Sequence, residues 1–280
     1  MSLQAQLDRL NPQLQNPHNV AVLDIERIPG RAIHHHRGIR MEGDFWDLNA
    51  WKHTLSYRLP ADSVVEWPRT ICVAWRWYGQ NRIHFASEWG DGHQGMIETV
   101  WEVFDRAQIV VGHNSRGFDE KKLKTDWRDY GLLKPSPWKS VDTLTIARRE
   151  FGDESNTLDA LCRRAGIPHK TDKYDVTTAR AAVAGDKRAQ RKLRLYNMGD
   201  IDASTALYDR FRPWDSTHPH SVVPNADDRP TCHACWGDDL EPNGTTLARQ
   251  ITYRLYRCRG CGSNVVGTQH ARAAVTRGVR

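Results

Sequence analysis

Val20-Ala21-Val22-Leu23-Asp24-Ile25-Glu26 ends an apolar run in two carboxylates one residue apart. Read as a β-strand, its period of two places Asp24 and Glu26 on one face, where neighbouring anions repel unless a cation stands between them. That is a metal-site pattern, although Asp-x-Glu also closes ordinary strands, so other segments must decide it. Val110-Val111-Gly112-His113-Asn114-Ser115-Arg116-Gly117-Phe118-Asp119 reads as a buried strand, a turn containing glycine and the start of a helix. Asp119 then falls just past the strand's carboxyl end, where sites in open sheets collect. Tyr196-Asn197-Met198-Gly199-Asp200 places a phenol and a carboxylate at i and i+4, one face of a helix.

The intervening sequence sets these pieces in an α/β order. Residues 69–78 and 82–89 alternate apolar and polar positions about Gly79-Gln80-Asn81, the pattern of a β-hairpin. A helix over 96–106, a strand over 108–112, a helix over 119–130 and mostly helical sequence over 142–211 follow. Such an order predicts a mixed sheet flanked by helices. Asp142 precedes a helix and reads as its cap. Lys121, Lys122 and Lys124 read as a solvated helix face or as phosphate contacts. The long segment 27–67 carries Trp46, Trp51 and Tyr57, which suit either base stacking or an apolar cover over a sheet edge. Its His34-His35-His36 triplet reads as a solvated loop.

Asp24, Glu26, Asp119 and Asp200 with Tyr196 resemble the four-carboxylate, tyrosine-bearing (DEDDy) branch of ribonuclease-H-like 3′→5′ exonucleases, which includes polymerase proofreading domains and ribonuclease D. The sister branch has His five positions before the last Asp, where this chain has Leu195; Tyr196 stands four before it. Asp202 does not fit, because Met198 occupies the tyrosine position relative to it. Trp138-Lys139-Ser140-Val141-Asp142, Arg148-Arg149-Glu150-Phe151, Asn156-Thr157-Leu158 and the run from Gly185 to Asn197 are similar to stand-alone phage and bacterial members, which tend to end in a zinc ribbon. The likeness covers roughly residues 20 to 265.

The resemblance implies a ribonuclease-H-like mixed β-sheet flanked by helices and two Mg²⁺ or Mn²⁺ ions on the carboxylates. Hard oxygen donors suit those cations better than His or Cys would. Asp24 would bridge both ions, Glu26 and Asp200 would bind the ion holding the water, and Asp119 would serve the other. Tyr196 would orient the attacking water and hydrogen-bond to the scissile phosphate. Asn114 and Phe118 would contact the terminal nucleotide, Phe118 having core packing as its competing role.

Near the carboxyl end, Cys232-His233-Ala234-Cys235 and Cys258-Arg259-Gly260-Cys261 are separated by 22 residues. Two Cys-x2-Cys pairs at this spacing predict one structural Zn²⁺ held by four thiolates, with iron as the alternative. His218, His220 and His233 stay outside a shell already complete. Cys72 and Cys162 are isolated, which suits a reducing compartment.

With 280 residues, the chain holds room for a domain of about 200 residues and a small module. The expected division is an exonuclease domain over 1–212, a linker over 213–230, a zinc ribbon over 231–268 and a basic tail over 269–280. A net charge of +6, with seven Arg and no Asp or Glu from residue 249 onward, suits a polyanionic partner. No apolar stretch approaches a membrane span and the first residues lack the features of a signal peptide, so a cytoplasmic location, the host's if phage-encoded, is expected. Neither a phosphate-binding Gly-rich loop of the ATPase type nor Gly-x-Ser-x-Gly occurs. The expected activity is metal-dependent 3′→5′ hydrolysis of single-stranded DNA to nucleoside monophosphates, with replication or repair proteins as partners. RNA as substrate, a structure-selective endonuclease and a non-catalytic nucleic-acid adaptor are the alternatives, and the ribbon suits either nucleic acid or a protein partner.

Overall fold

The computed structural model describes residues 19–36, 39–44, 61–168, 174–220, 230–248 and 251–273. Its central strand is β1 (Val20–Ile28), a nine-residue run buried along almost all of its length. Alternation sorts that run onto two layers. Ala21, Leu23 and Ile25 pack with Met96, Ile97, Val100 and Phe104 on one face, while Val20 and Val22 pack with Leu207, Tyr208 and Phe211 on the other. Asp24 and Glu26 share the parity of Val20 and Val22, so the carboxylates face the long carboxyl-terminal helix.

Around β1 lie β5 (Arg69–Trp77), β6 (His84–Ser87), β7 (Ile109–Gly112) and β8 (Lys139–Asp142), in the order β6-β5-β1-β7-β8. β5 pairs antiparallel with β1 and β6, whereas β7 runs parallel to β1 and β8 parallel to β7. One layer of helices is α2 (His93–Arg106) and α3 (Asp119–Asp129), which follows a short helical turn, α1 (Glu88–Asp91). The other is α4 (Thr143–Glu150), α5 (Leu158–Arg164), α6 (Val176–Val183) and the 25-residue α7 (Lys187–Phe211). This is the mixed sheet flanked by helices expected from the sequence, consistent with a ribonuclease-H-like fold.

Several local differences have plain causes. The second hairpin strand stops at Ser87 and not at Trp89, because Asp91 accepts a hydrogen bond from the Ser87 amide (2.9 Å) and closes α1. Lys139–Asp142, not expected as a strand, is only four residues long and too short for alternation to show. Within segment 27–67, β2 (Arg31–His36), β3 (Ile39–Asp44) and β4 (Val64–Glu66) form a separate sheet, so the backbone of the His triplet is strand and not loop. Arg180 of α6 ties that sheet to the helices through Asp44 and Glu66, both at 2.6 Å. Trp46, Trp51 and Tyr57 lie outside the described residues. No helix among the described residues is long and apolar enough to cross a membrane.

β9 (Leu240–Ala248), β10 (Ile251–Cys258) and β11 (Asn264–Ala273) make a third, antiparallel sheet. β11 runs to Ala273, across the boundary at 268 drawn from the sequence, because its register with β10 continues to the pair Ile251 and Ala273. Residues 213–220 pack back on α7. Arg212 lies over the rings of Tyr78, Tyr208 and Trp236 at 5.0, 5.4 and 5.9 Å, which joins the ribbon to the main sheet. Beside it, His218 is 4% exposed, and its Nδ1 faces only carbonyl oxygens, those of Pro219 and His233 at 3.0 Å. Nδ1 therefore carries the proton and donates, leaving Nε2 to accept from the Tyr208 hydroxyl at 2.8 Å.

That ring is held neutral. Burial lowers the His218 pKa to about 4, against the opposing pull of Asp215. Because the unfolded chain takes up this proton first, the stabilisation is whole above pH 6.5 and is lost as pH falls toward 4, by about 1.4 kcal/mol per unit. Thermal unfolding between pH 6.5 and 4.5 should therefore fall less steeply in His218→Asn than in the wild type. Parallel curves would show that His218 does not carry the acid sensitivity.

Candidate metal centres and carboxylate site

The site begins where β1 outlasts its neighbour. Pairing with β7 runs from Val20 to Val22, and β7 ends at Gly112. The Ile25 amide on that side has lost its strand partner, and a buried amide must find another. It donates to Asp119 Oδ1 at 3.3 Å. Asp119, the first residue of α3, is thereby fixed beside the carboxyl end of β1.

The turn delivering Asp119 is organised from β8. Asp142 accepts from the amides of Asn114 (2.9 Å) and Arg116 (3.3 Å), and from Leu144 and Thr145 as the cap of α4. The capping role expected of Asp142 is therefore accompanied by a second one, anchoring the turn. Asn114 takes a left-handed backbone (φ 64°), and a Cβ at Gly117 would stand 2.8 Å from Asn114 Oδ1. Glycine is needed there for that close approach. Asn114 is exposed, and half-buried Phe118 lies under the Lys122 ammonium, 5.8 Å from its ring centre, outside the two main core layers.

α7 supplies the remaining groups. Carboxylate oxygens of Asp24, Glu26 and Asp200 all lie within 4.8 Å of one another. Asp202 points away and pairs with Arg76 at 2.6 Å. A register shift in the β1–β5 pairing directly after Glu26 bends the strand beyond the cluster. Asp119 stands at the edge of the cluster, close enough to repel both Asp24 and Glu26.

Electrostatics follow from this crowding. Burial, then repulsion by Glu26, Asp119 and Asp200, raises the Asp24 pKa well above the carboxylate range, and Asn197 partly offsets it. Burial, then Asp200 and Asp119, does the same to Glu26. Asp119 is pushed to about 7 by burial, with the amides of Asp119 itself and Ile25 pulling the other way and Asp142 and Glu120 adding to the rise. Burial and the negative charges of Asp200, Glu26 and Asp24 raise Tyr196 as well, so its phenol keeps its proton at neutral pH. These hard oxygen donors suit a divalent cation, whose charge would reverse each of these carboxylate shifts.

Two residues of this site lay beyond the sequence reading. Asn197 is fully buried and donates from Nδ2 to Asp24 Oδ2 at 2.6 Å and to the Asp24 carbonyl at 3.3 Å. Its place between Tyr196 and Asp200 was the available signal. The Tyr174 hydroxyl donates a hydrogen bond to the Arg27 carbonyl, and its backbone amide donates to the Tyr196 phenol oxygen. It enters from outside all the motifs, and nothing local in the sequence marks it.

The second centre is the thiolate cluster. Cys232, Cys235, Cys258 and Cys261 bring their sulfurs within 4.8 Å of one another, with Cys232 to Cys261 at 3.7 Å and Cys235 to Cys258 at 3.5 Å. None is in a disulfide. A tetrahedral Zn²⁺ with bonds near 2.3 Å separates its sulfurs by about 3.8 Å, so the set fits zinc. His218 is engaged by the Tyr208 hydroxyl, and neither it nor His233 belongs to the set.

The chain is similar in structure to the family B DNA polymerase from the hyperthermophilic archaeon Pyrobaculum calidifontis, at a TM-score of 0.47 and 15% identity. The match covers 70% of this chain and 24% of that polymerase. No protein-family profile and no curated protein matches the sequence.

Asn197→Ala removes a buried donor to a crowded carboxylate and should cost about 1–3 kcal/mol. It should also shrink the rise in melting temperature produced by Mn²⁺. An unchanged Mn²⁺ response would detach Asn197 from the site. Chelation should remove one zinc per chain, measured by metal analysis, and melt the ribbon sheet. A ribbon spectrum indifferent to metal loss would count against a structural ion.

Proposed function

We propose that the chain is a metal-dependent 3′→5′ exonuclease acting on single-stranded DNA and releasing nucleoside 5′-monophosphates. The observation that carries this reading is the convergence of Asp24, Glu26 and Asp200 within 4.8 Å, with Tyr196 one helical turn before Asp200. Asp24, Glu26 and Asp200, with Asp119 beside them, would hold two Mg²⁺ or Mn²⁺ ions. When bound, such ions lower the pKa of water and neutralise charge on a phosphate undergoing in-line displacement.

The chain's own residues do the rest. Tyr196, kept protonated by burial and its acidic neighbours, has a phenol oxygen already engaged by the Tyr174 amide. Its retained hydroxyl proton would serve to orient the attacking water or a phosphate oxygen. A phenol with a raised pKa is a poor base, which makes it a positioning donor. Asn197 holds Asp24 in one orientation, and Asp119 is held by Ile25. Exposed Asn114 and half-buried Phe118 offer polar contact and a ring face to a terminal nucleotide.

In the proposed division, 1–212 is the catalytic domain and the zinc ribbon over 231–268 is a module for nucleic acid or for a replication or repair partner. The reading leads to one assay. 5′-labelled single-stranded DNA and RNA of equal sequence, incubated with Mn²⁺, should shorten from the 3′ end, DNA faster. Asp24→Ala and Asp200→Ala should reduce the rate to background with circular dichroism unchanged. Tyr196→Phe should lower kcat by about 100-fold with little change in KM. Wild-type activity in Asp200→Ala would remove the assignment, and faster shortening of RNA would move the substrate to RNA.

A further inference from the structure

α7 carries two different faces in its first turns. Ala189, Gln190 and Leu193 are buried against the sheet and α6, while Lys187, Arg188, Arg191, Lys192 and Arg194 are exposed. No Asp or Glu occurs between Asp186 and Asp200. Arg194 rests on the Phe85 ring, 5.3 Å from its centre, and Lys187 donates to Gln190. Arg188, Arg191 and Lys192 form no ion pair among the described residues. Asp175 lies within electrostatic range of Lys192, but its oxygens cap α6 through Thr177 and Thr178.

This arrangement works against the helix that bears it. Lys187 and Arg191, and Arg188 and Lys192, are like charges at i and i+4, each pair mildly destabilising. Lys187 and Arg188 also sit in the first turn, where the macrodipole favours anions. A face serving only solubility gains more by mixing signs, as α5 does with its i,i+4 pair of Asp159 and Arg163. The unbalanced charge points to an anion that the chain itself does not supply.

Its position identifies that anion. Arg188, Lys192, Tyr196 and Asp200 follow one another on successive turns, so the cations lead along α7 to the carboxylates. Leu193 of the same segment packs with Ile28 at the carboxyl end of β1, the end that holds the site. From Lys187 to Asp200 the helix rises about 20 Å, long enough to meet several successive phosphates. We infer that Arg188, Arg191 and Lys192 form a phosphate track that holds the backbone of a single nucleic-acid strand as it leads into the carboxylate site. The inference rests on the exonuclease reading and adds the path of its substrate.

Salt dependence reads such a track directly, because each lysine or arginine on a phosphate releases a counterion and contributes about 0.7 to the slope of log Kd against log salt for single strands. Binding of a fluorescent oligo-dT 20-mer to the full zinc-loaded chain is followed by anisotropy across a KCl series, without Mg²⁺ or Mn²⁺ so that nothing is cleaved. The combined variant Arg188→Ala, Arg191→Ala, Lys192→Ala should lower the slope by about 2. Arg210→Ala, which removes one exposed cation from the far half of α7, should leave it unchanged. A slope in the combined variant equal to the wild type's, an equal loss per charge in Arg210→Ala, or no binding by the wild type would overturn the track. Hydrolysis with Mn²⁺ is scored separately. An active wild type whose slope ignores these residues overturns the track and leaves the nuclease reading; one that binds through them yet cuts nothing supports the track and overturns the nuclease reading.

Discussion

Repulsion among carboxylates is the constraint around which the rest is arranged. At an effective dielectric of about 20, two unit charges 4 Å apart repel by about 4 kcal/mol, a large share of a typical domain's net stability. Asp24, Glu26 and Asp200 are held at that range by elements that cannot easily yield. β1 is paired on both edges and buried on both faces, so slipping by one residue would turn its carboxylates into the opposite layer, among Met96, Val100 and Phe104. α7 is fixed by Leu193 at one end and Leu207, Tyr208 and Phe211 at the other. In the absence of a cation, burial first and this crowding second favour the protonated forms, which shifts Asp24 and Glu26 upward.

The same constraint explains the hydrogen bonds next to the cluster. A parallel neighbour that ended level with β1 would occupy the Ile25 amide and exclude Asp119. Because β7 stops at Gly112, the free edge of β1 accepts a side chain instead of a strand. Asp142 then holds the intervening turn through the Asn114 and Arg116 amides. One strand's early end thus yields both the space for a fourth carboxylate and the donor that orients it.

What could be read from the sequence was what local periodicity encodes. Asp24 and Glu26 share a face because strands alternate, and Tyr196 and Asp200 share one because helices turn every 3.6 residues. Two Cys-x2-Cys pairs specify their own geometry through the ion they fit. Asn197 was within the quoted motif, but its bond to Asp24 spans 173 positions, and no local pattern announces it. Tyr174 and the β2-β3-β4 sheet depend on long-range packing in the same way. The ribbon's seat on Arg212, Tyr208 and His218 was hidden for another reason: a Pro- and His-rich stretch looks like a linker until burial shows that His218 is packed and neutral.

α7 gives the molecule a direction. Leu193 packs with Ile28 while Phe211 packs with Val20, so the helix runs antiparallel to β1. The cationic turns and the carboxylates therefore share one end of the sheet. Tyr78, whose amide donates to the Val20 carbonyl at 2.8 Å, marks the other end, and Trp236 of the ribbon meets Tyr78 there at 6.2 Å between ring centres. From Val20 to Asp24 the strand alone covers about 13 Å. The contacts that dock the ribbon, Trp236 on Tyr78 and Arg212, thus lie at the opposite end of the sheet from the carboxylates. On the proposed reading, a strand held by the ribbon and one entering along Arg188 to Lys192 would approach the carboxylates from opposite ends of the same helix.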